Sequence, residues 1–181
     1  ISNANYILDA EETMAGTETE VNYIMGQAYA IRAYSYFMLA QSFARTYKGH
    51  EGEPCCPIYV EPTVAGTEGK PRSTVQETYA QIMNDINKAV ERLNGTTRKH
   101  ISHIDYATAL GLQARIALVM EDWATAKKSS EEAISRLNSH LVSVRAAGDI
   151  QLLTISEKPL TDIVKTIFRS IWYTWISITW K

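Results

Sequence analysis

Residues 104–137 read IDYATALGLQARIALVMEDWATAKKSSEEAISRL, and two helices meet inside them. The first helix runs from about residue 104 to 120 and is rich in alanine, at Ala107, Ala109, Ala114 and Ala117. Glu121 and Asp122 make a tight turn, and the second helix runs from residue 123 to about 137. So short a connection forces the pair to pack antiparallel. Ala114, Ala117, Ala126 and Ala133 lack the bulk that would wedge the two axes apart.

Small residues at this spacing are also what a tetratricopeptide hairpin needs where its helices touch. Working upstream, a helix over about residues 20–47 shows the same bias at Ala28, Ala30, Ala33 and Ala40. Its apolar positions Ile24, Ala28, Ile31, Tyr34/Ser35, Met38 and Phe43 recur at helical spacing. Gly49 follows at the place of a C-cap glycine. A short helix over residues 3–14 precedes it, with Tyr6, Ile7 and Ala10 on one side and a polar break at 15–19. Another helix begins at Ser73 or Thr74 as N-cap, with Glu77 as capping-box partner, and continues through Tyr79, Ile82, Ile86, Val90 and Leu93 to Asn94-Gly95. Between these helices, residues 48–73 hold Pro54, Pro57, Pro62 and Pro71, four of the five prolines. They predict a long irregular crossover with an extended piece at 58–60. Loops of that length are often functional.

The fold class is therefore all-α: tetratricopeptide-like antiparallel helical hairpins joined by a long proline-rich crossover loop. Residues 1–138 form the helical domain and residues 139–181 a divergent or truncated C-terminal segment. Within the latter, 163–180 is β-branched and aromatic on both faces, which fits either a short buried strand or an irregular tail.

Of the 181 residues 45% are hydrophobic and 21% charged, ordinary for a soluble globular protein. A formal net charge of −2 gives no basic footprint for nucleic acid. The chain begins without an initiator Met, signal peptide or lipidation site, and reads as a mature piece or a fragment. Cys55 and Cys56 are adjacent, which strains a disulfide between them and offers no CxxC metal site.

Several of these stretches resemble motifs of the SusD/RagB-like family. GQAYAIRAYSYFML at 26–39 is similar to the family's E-A-x-A-L-R-A-x-x-Y-F-x-L helix, and Gly52-Glu53-Pro54 to its G-V-P. Pro71-Arg72-Ser73-Thr74 matches its P-R-S-T, and residues 75–89 match V-x-E-x-Y-x-x-I-x-x-D-L-x-x-A. Ala4-Asn5-Tyr6-Ile7-Leu8 resembles A-N-x-V-L, and residues 107–123 resemble A-A-x-A-L-L-A-R-V-Y-L-x-x-G-D-W. The motifs occur in order and cover residues 3 to about 137. The resemblance implies a lipid-anchored, surface-exposed protein of the cell outer membrane. Such a protein captures oligosaccharide non-catalytically for a partner TonB-dependent, SusC-like transporter, and the helical hairpins serve mainly as scaffold and transporter contact. No cofactor is implied. Family members are several times longer, so most of the ligand-binding half is expected outside this chain.

Aromatic faces suit the C–H faces of sugars, and Tyr47 and Tyr59, at the edge of or within the crossover, are the candidate ligand-binding tyrosines. Trp172 and Trp175 are candidates in the tail. Tyr29, Tyr34 and Tyr36 fall at helical spacing and are expected in packing. His100 and His103 form H-x-x-H before a helix but lack converging partners beyond Asp105, so capping or solvated histidines are expected rather than zinc ligands. Glu121, Asp122, Glu131 and Glu132 lie on one hairpin instead of across a cleft, which disfavours glycoside hydrolysis. Cys55 or Cys56, with His50 in the same loop, is expected to be an inert thiol rather than a nucleophile. Arg32 and Arg115, on apolar faces, are expected to pair with carboxylates on neighbouring helices. The alternative function is a helical-repeat scaffold for protein–protein interaction, whose mark would be regular tandem repeats at a fixed period, and these are missing.

Overall fold

The computed structural model describes the backbone of residues 1–146 and the side chains of residues 1–136. All contacts below lie within Ile1–Asn138, one of two compact units of the chain. Five α-helices carry it: α1 (Ser2–Asp9), α2 (Glu18–Phe43), α3 (Val75–Leu93), α4 (Tyr106–Val119) and α5 (Trp123–Ala146), with a 3-10 turn at Glu11–Thr13. Among the described residues the only β pairing is an isolated antiparallel bridge between Pro54 and Thr74. The fold is all-α among the described residues, as the sequence predicts, and the strand or irregular tail expected at 163–180 lies outside them.

Helix boundaries follow from caps. α2 starts two residues earlier than its periodicity suggests, because Thr17 and Glu20 form a capping box. The Thr17 Oγ1 accepts from the Glu20 N–H at 3.3 Å, and Glu20 Oε2 accepts from the Thr17 N–H at 3.1 Å. At its other end α2 stops at Phe43, short of the expected residue 47. Gly49, with φ of 83°, belongs to a separate turn and does not cap the helix. The Phe43 carbonyl is taken instead by the Arg72 guanidinium at 3.2 Å, so an arginine from the crossover does what a C-cap glycine would have done. α3 is capped by Thr74, one of the two candidates, with Glu77 closing the box at 2.8 Å. Asp105 caps α4 through the Thr108 N–H, and Asp122 caps α5 through the Thr125 N–H.

The α4–α5 hairpin is antiparallel. Tyr106 donates to Glu132 at 2.6 Å and Ser129 donates to Gln113 at 2.7 Å, so partner numbers run in opposite directions. Ala114, Ala117, Ala126 and Ala133 are all buried, as the close approach requires.

α2 is the central element, buried most extensively against α3 and flanked by α1 and α4. The stripe read from its sequence is only partly inward: Ala28 is buried and Met38 half-buried, but its other large apolar members face out. Ile24, Ile31, Tyr34 and Phe43 are 42–64% exposed, while Met25, Ala30, Ala33, Tyr36, Phe37 and Ala40 are buried. The cause is that α2 is apolar around most of its circumference, so spacing alone cannot choose which face meets its neighbours. Phe37 meets Tyr79 edge-on at 6.3 Å in the middle of the core.

Arg32 closes the middle of the structure. Its guanidinium is held bidentately by Asp85 of α3 at 2.7 and 2.8 Å, and it also donates to Asn5 and to the Val60 carbonyl. Asn5 in turn donates to the carbonyls of Tyr59 and Glu61. One buried cation thus ties α1, α2, α3 and the crossover together.

Candidate functional site

The crossover, residues 44–74, lacks helix but is not loose. Arg72 donates from Nε to the Cys55 carbonyl at 2.6 Å and from Nη2 to the Pro54 carbonyl. The backbones of Cys55 and Cys56 exchange hydrogen bonds with Ser73, and the Val75 and Gln76 N–H groups reach back to Glu53 and Glu51. The extended piece expected at 58–60 finds no strand partner. Instead the Tyr36 hydroxyl accepts from the Tyr59 N–H at 2.7 Å and donates to its carbonyl at 2.9 Å. Burial pushes the Tyr36 phenol up, against the opposing pull of its bond to Tyr59, so it stays protonated and able to donate.

Held this way, the crossover and α1 bound one side of a groove of about 830 Å³, and α2 bounds the other. α2 contributes Tyr36, Leu39 and Phe43, α1 contributes Asn5, and the crossover contributes Tyr59, Thr63, Val64 and Arg72. Cys55 and Cys56 also line it. Phe43 and Val64 are 64% and 68% exposed, an apolar lip that a single-chain core does not need. Tyr59 is half-buried. Its hydroxyl accepts from the Lys70 N–H at 2.8 Å, and the Lys70 ammonium sits 5.4 Å from its ring centre, so the ring is fixed in place.

The structure separates the sequence candidates. Tyr59 lines the groove, whereas Tyr47 packs edge-on against Tyr79 at 5.1 Å and is not among the lining residues. Trp172 and Trp175 lie outside the described residues. Phe43, Asn5 and Val64 also line the groove and are not among the sequence candidates: Phe43 falls in a helix stripe, Asn5 lies in the A-N-x-V-L-like stretch with nothing to mark it as a groove residue, and no motif covers Val64.

The remaining chemistry candidates are engaged locally. His103 Nδ1 meets the Tyr23 hydroxyl at 2.7 Å, and His100 Nδ1 meets Ser102 Oγ at 2.7 Å. Among the described residues no three His, Cys, Asp or Glu side chains converge as a metal site. His50 is paired with Glu53 at 2.8 Å. Burial, with Cys55 beside it, pushes the Cys56 thiol up to about 11, so it is not a thiolate at neutral pH. Arg32 has its carboxylate partner as expected. Arg115 instead lies over the Phe37 ring, 5.6 Å from its centre. Among the described residues no helix is long and apolar enough to cross a membrane.

Fold and groove together define an all-helical, tetratricopeptide-like module with a firmly anchored crossover. Residues 1–118 match the family model for SusD-like proteins, described as starch-binding and associating with the outer membrane. A SusD-like carbohydrate-binding protein from Bacteroides vulgatus ATCC 8482 is similar at 33% identity and a TM-score of 0.71, over 76% of this chain and 29% of its own. A SusD superfamily protein from the same strain matches at 26% identity and a TM-score of 0.68, over 77% and 32%. Another from Bacteroides thetaiotaomicron VPI-5482 matches at 26% and 0.65, over 74% and 29%. No curated protein matches. The chain belongs to the SusD-like family, and it spans less than a third of the length of these relatives.

Proposed function

We propose that this chain is the helical part of a non-catalytic, surface-exposed outer-membrane protein that captures oligosaccharide and passes it to a TonB-dependent, SusC-like transporter. The observation that carries the reading is the family match over residues 1–118, reinforced by a relative at 33% identity described as carbohydrate-binding. Locally, the groove supplies what a sugar needs: a fixed aromatic ring at Tyr59, an apolar lip at Phe43 and Val64, and polar groups at Thr63 and Arg72. Stacking of this kind orients a sugar face, while hydroxyl contacts discriminate among glycans. Trp172 and Trp175 are proposed as further aromatic contacts, and a lipid anchor on the whole protein would hold it at the membrane.

Affinity electrophoresis in gels cast with amylopectin, laminarin or xylan tests the capture step. Retardation of the chain in one gel, reduced at least several-fold by Tyr59→Ala, is the expected result. Retardation that Tyr59→Ala leaves untouched would move the contact away from the groove. A pull-down from solubilised outer membranes tests the partner: a TonB-dependent barrel is expected, and recovery of soluble proteins alone would favour an interaction scaffold.

A further inference from the structure

Two free thiols, Cys55 and Cys56, lie at the floor of the groove and have no part in the proposed capture of sugar. Their sulfur atoms are 3.8 Å apart. A disulfide between them is disfavoured. Consecutive Cα atoms are about 3.8 Å apart across a trans peptide, below the usual disulfide range of roughly 4.4–6.8 Å. Relieving that strain would disturb a segment pinned on both sides, by the Cys55 N–H to the Ser73 carbonyl at 2.7 Å and the Ser73 N–H to the Cys56 carbonyl at 3.1 Å. The dithiol is therefore built to stay reduced and paired.

A single soft atom inserted between the sulfurs needs no such change. Two sulfur bonds of roughly 2.3 Å, the length of a zinc thiolate, span 3.8 Å with at most a small closing of the side chains. We propose that Cys55 and Cys56 form a bidentate site for a trivalent arsenical, R–As=O. Each sulfur forms a bond to arsenic, and the two thiol protons leave with the oxide oxygen as one water. Arsenic remains trivalent, so nothing is oxidised or reduced. The third substituent, R, points into the apolar part of the groove beside Leu39 and Phe43.

The surroundings favour this neutral centre over a metal cation. Arg72 is close by, its Nε on the Cys55 carbonyl, and would repel added positive charge. No third histidine, cysteine or carboxylate converges there among the described residues. A cation would also have to leave two buried thiolates, whereas the arsenical consumes the protons and leaves no charge behind.

The test uses the whole 181-residue chain, phenylarsine oxide and intact-mass spectrometry under native conditions. One phenylarsenic group per chain is expected, retained against excess glutathione and released by 2,3-dimercaptopropanol. Cys55→Ser and Cys56→Ser should each lose that retention, because a single thiol exchanges freely with glutathione. Retention unchanged in either variant, or no adduct on the wild type, overturns the site. Because any unfolded Cys-Cys pair can bind arsenic, thermal unfolding of the wild type gives a second reading that needs no variant. A rise in Tm with phenylarsine oxide is expected if the folded groove is the receptor, and a fall in Tm shows that the unfolded chain is the better receptor and overturns the proposal.

Discussion

The side chain that organises most of this structure is Arg32. It is 5% exposed and bound to Asp85, which is fully buried, and Asp85 also accepts from Gln81 at 3.0 Å. A buried ion pair is worth little against a well-packed apolar substitute, but either half alone is costly. Asp85→Ala should therefore lower unfolding free energy by about 3–5 kcal/mol, and the double change Arg32→Met with Asp85→Leu should recover most of it in urea denaturation. A double variant as unstable as the single one would show that the contacts of Arg32 to Asn5 and Val60 matter more than its pairing. Gly26 is the second such position. A Cβ there would lie 2.6 Å from Leu93 Cγ, so α2 and α3 touch closely only because it is glycine. Alanine would gain about 1 kcal/mol in helix propensity but force overpacking of about 1–3 kcal/mol. The expected net effect of Gly26→Ala is a loss of stability, and a gain would mean that Leu93 can shift at little cost.

At the scale of elements, what was legible in the sequence was whatever local chemistry decides. The Thr74–Glu77 box, the short α4–α5 turn and the buried alanines all follow from residues within a few positions of each other. Thr17–Glu20 carries the same signature, but Thr17 sits in the polar stretch 15–19 beside Gly16, which hides the cap. The core face of α2 was not legible, because which side of an apolar helix is covered depends on α1, α3 and α4. That correction has a direct test. Ile31→Lys should change stability by less than about 0.5 kcal/mol, since Ile31 is 48% exposed. A loss of several kcal/mol would restore the original stripe. The groove was half legible: the long crossover marked its position and Tyr59 was named, but Phe43 and Asn5 arrive from distant helices. Among the caps, Asp105 gives a pH-dependent prediction. Partial burial pushes its carboxyl up, but the Thr108 hydroxyl and N–H bonds and the Arg98 charge outweigh this and hold it below its usual value. A lowered folded pKa contributes stability above the unfolded value, and that stability is lost as pH falls through the folded one. Asp105→Ala should thus cost about 1 kcal/mol near neutral pH, and the gap should begin to shrink near roughly pH 4, where the free carboxyl protonates, and close as pH falls through the lower folded value. A gap independent of pH would mean that the cap acts through shape and not charge.

For the molecule as a whole, the open question is how much of the chain the helical fold needs. The described core draws on residues from Ala4 to Ala133, and Ile1–Asn138 is one of the chain's two compact units. Stability of a cooperative domain comes from that shared burial and not from chain length as such. A boundary at residue 138 is accordingly proposed as the edge of the folding unit. A chain ending at Asn138 loses the last residues of α5 (Trp123–Ala146) but should keep the rest of its far-ultraviolet helical signal, and its unfolding free energy to within about 0.5 kcal/mol, the scale of a surface change. It should also still bind phenylarsine oxide, because Cys55, Cys56 and every lining residue of the groove are retained. A fall of several kcal/mol would instead place residues 139–181 within the cooperative unit and remove the boundary. If stability held while glycan retardation vanished, the fold would end at residue 138 but the sugar contact would not. Aromatic residues beyond the groove, with Trp172 and Trp175 the first to substitute, would then carry the binding.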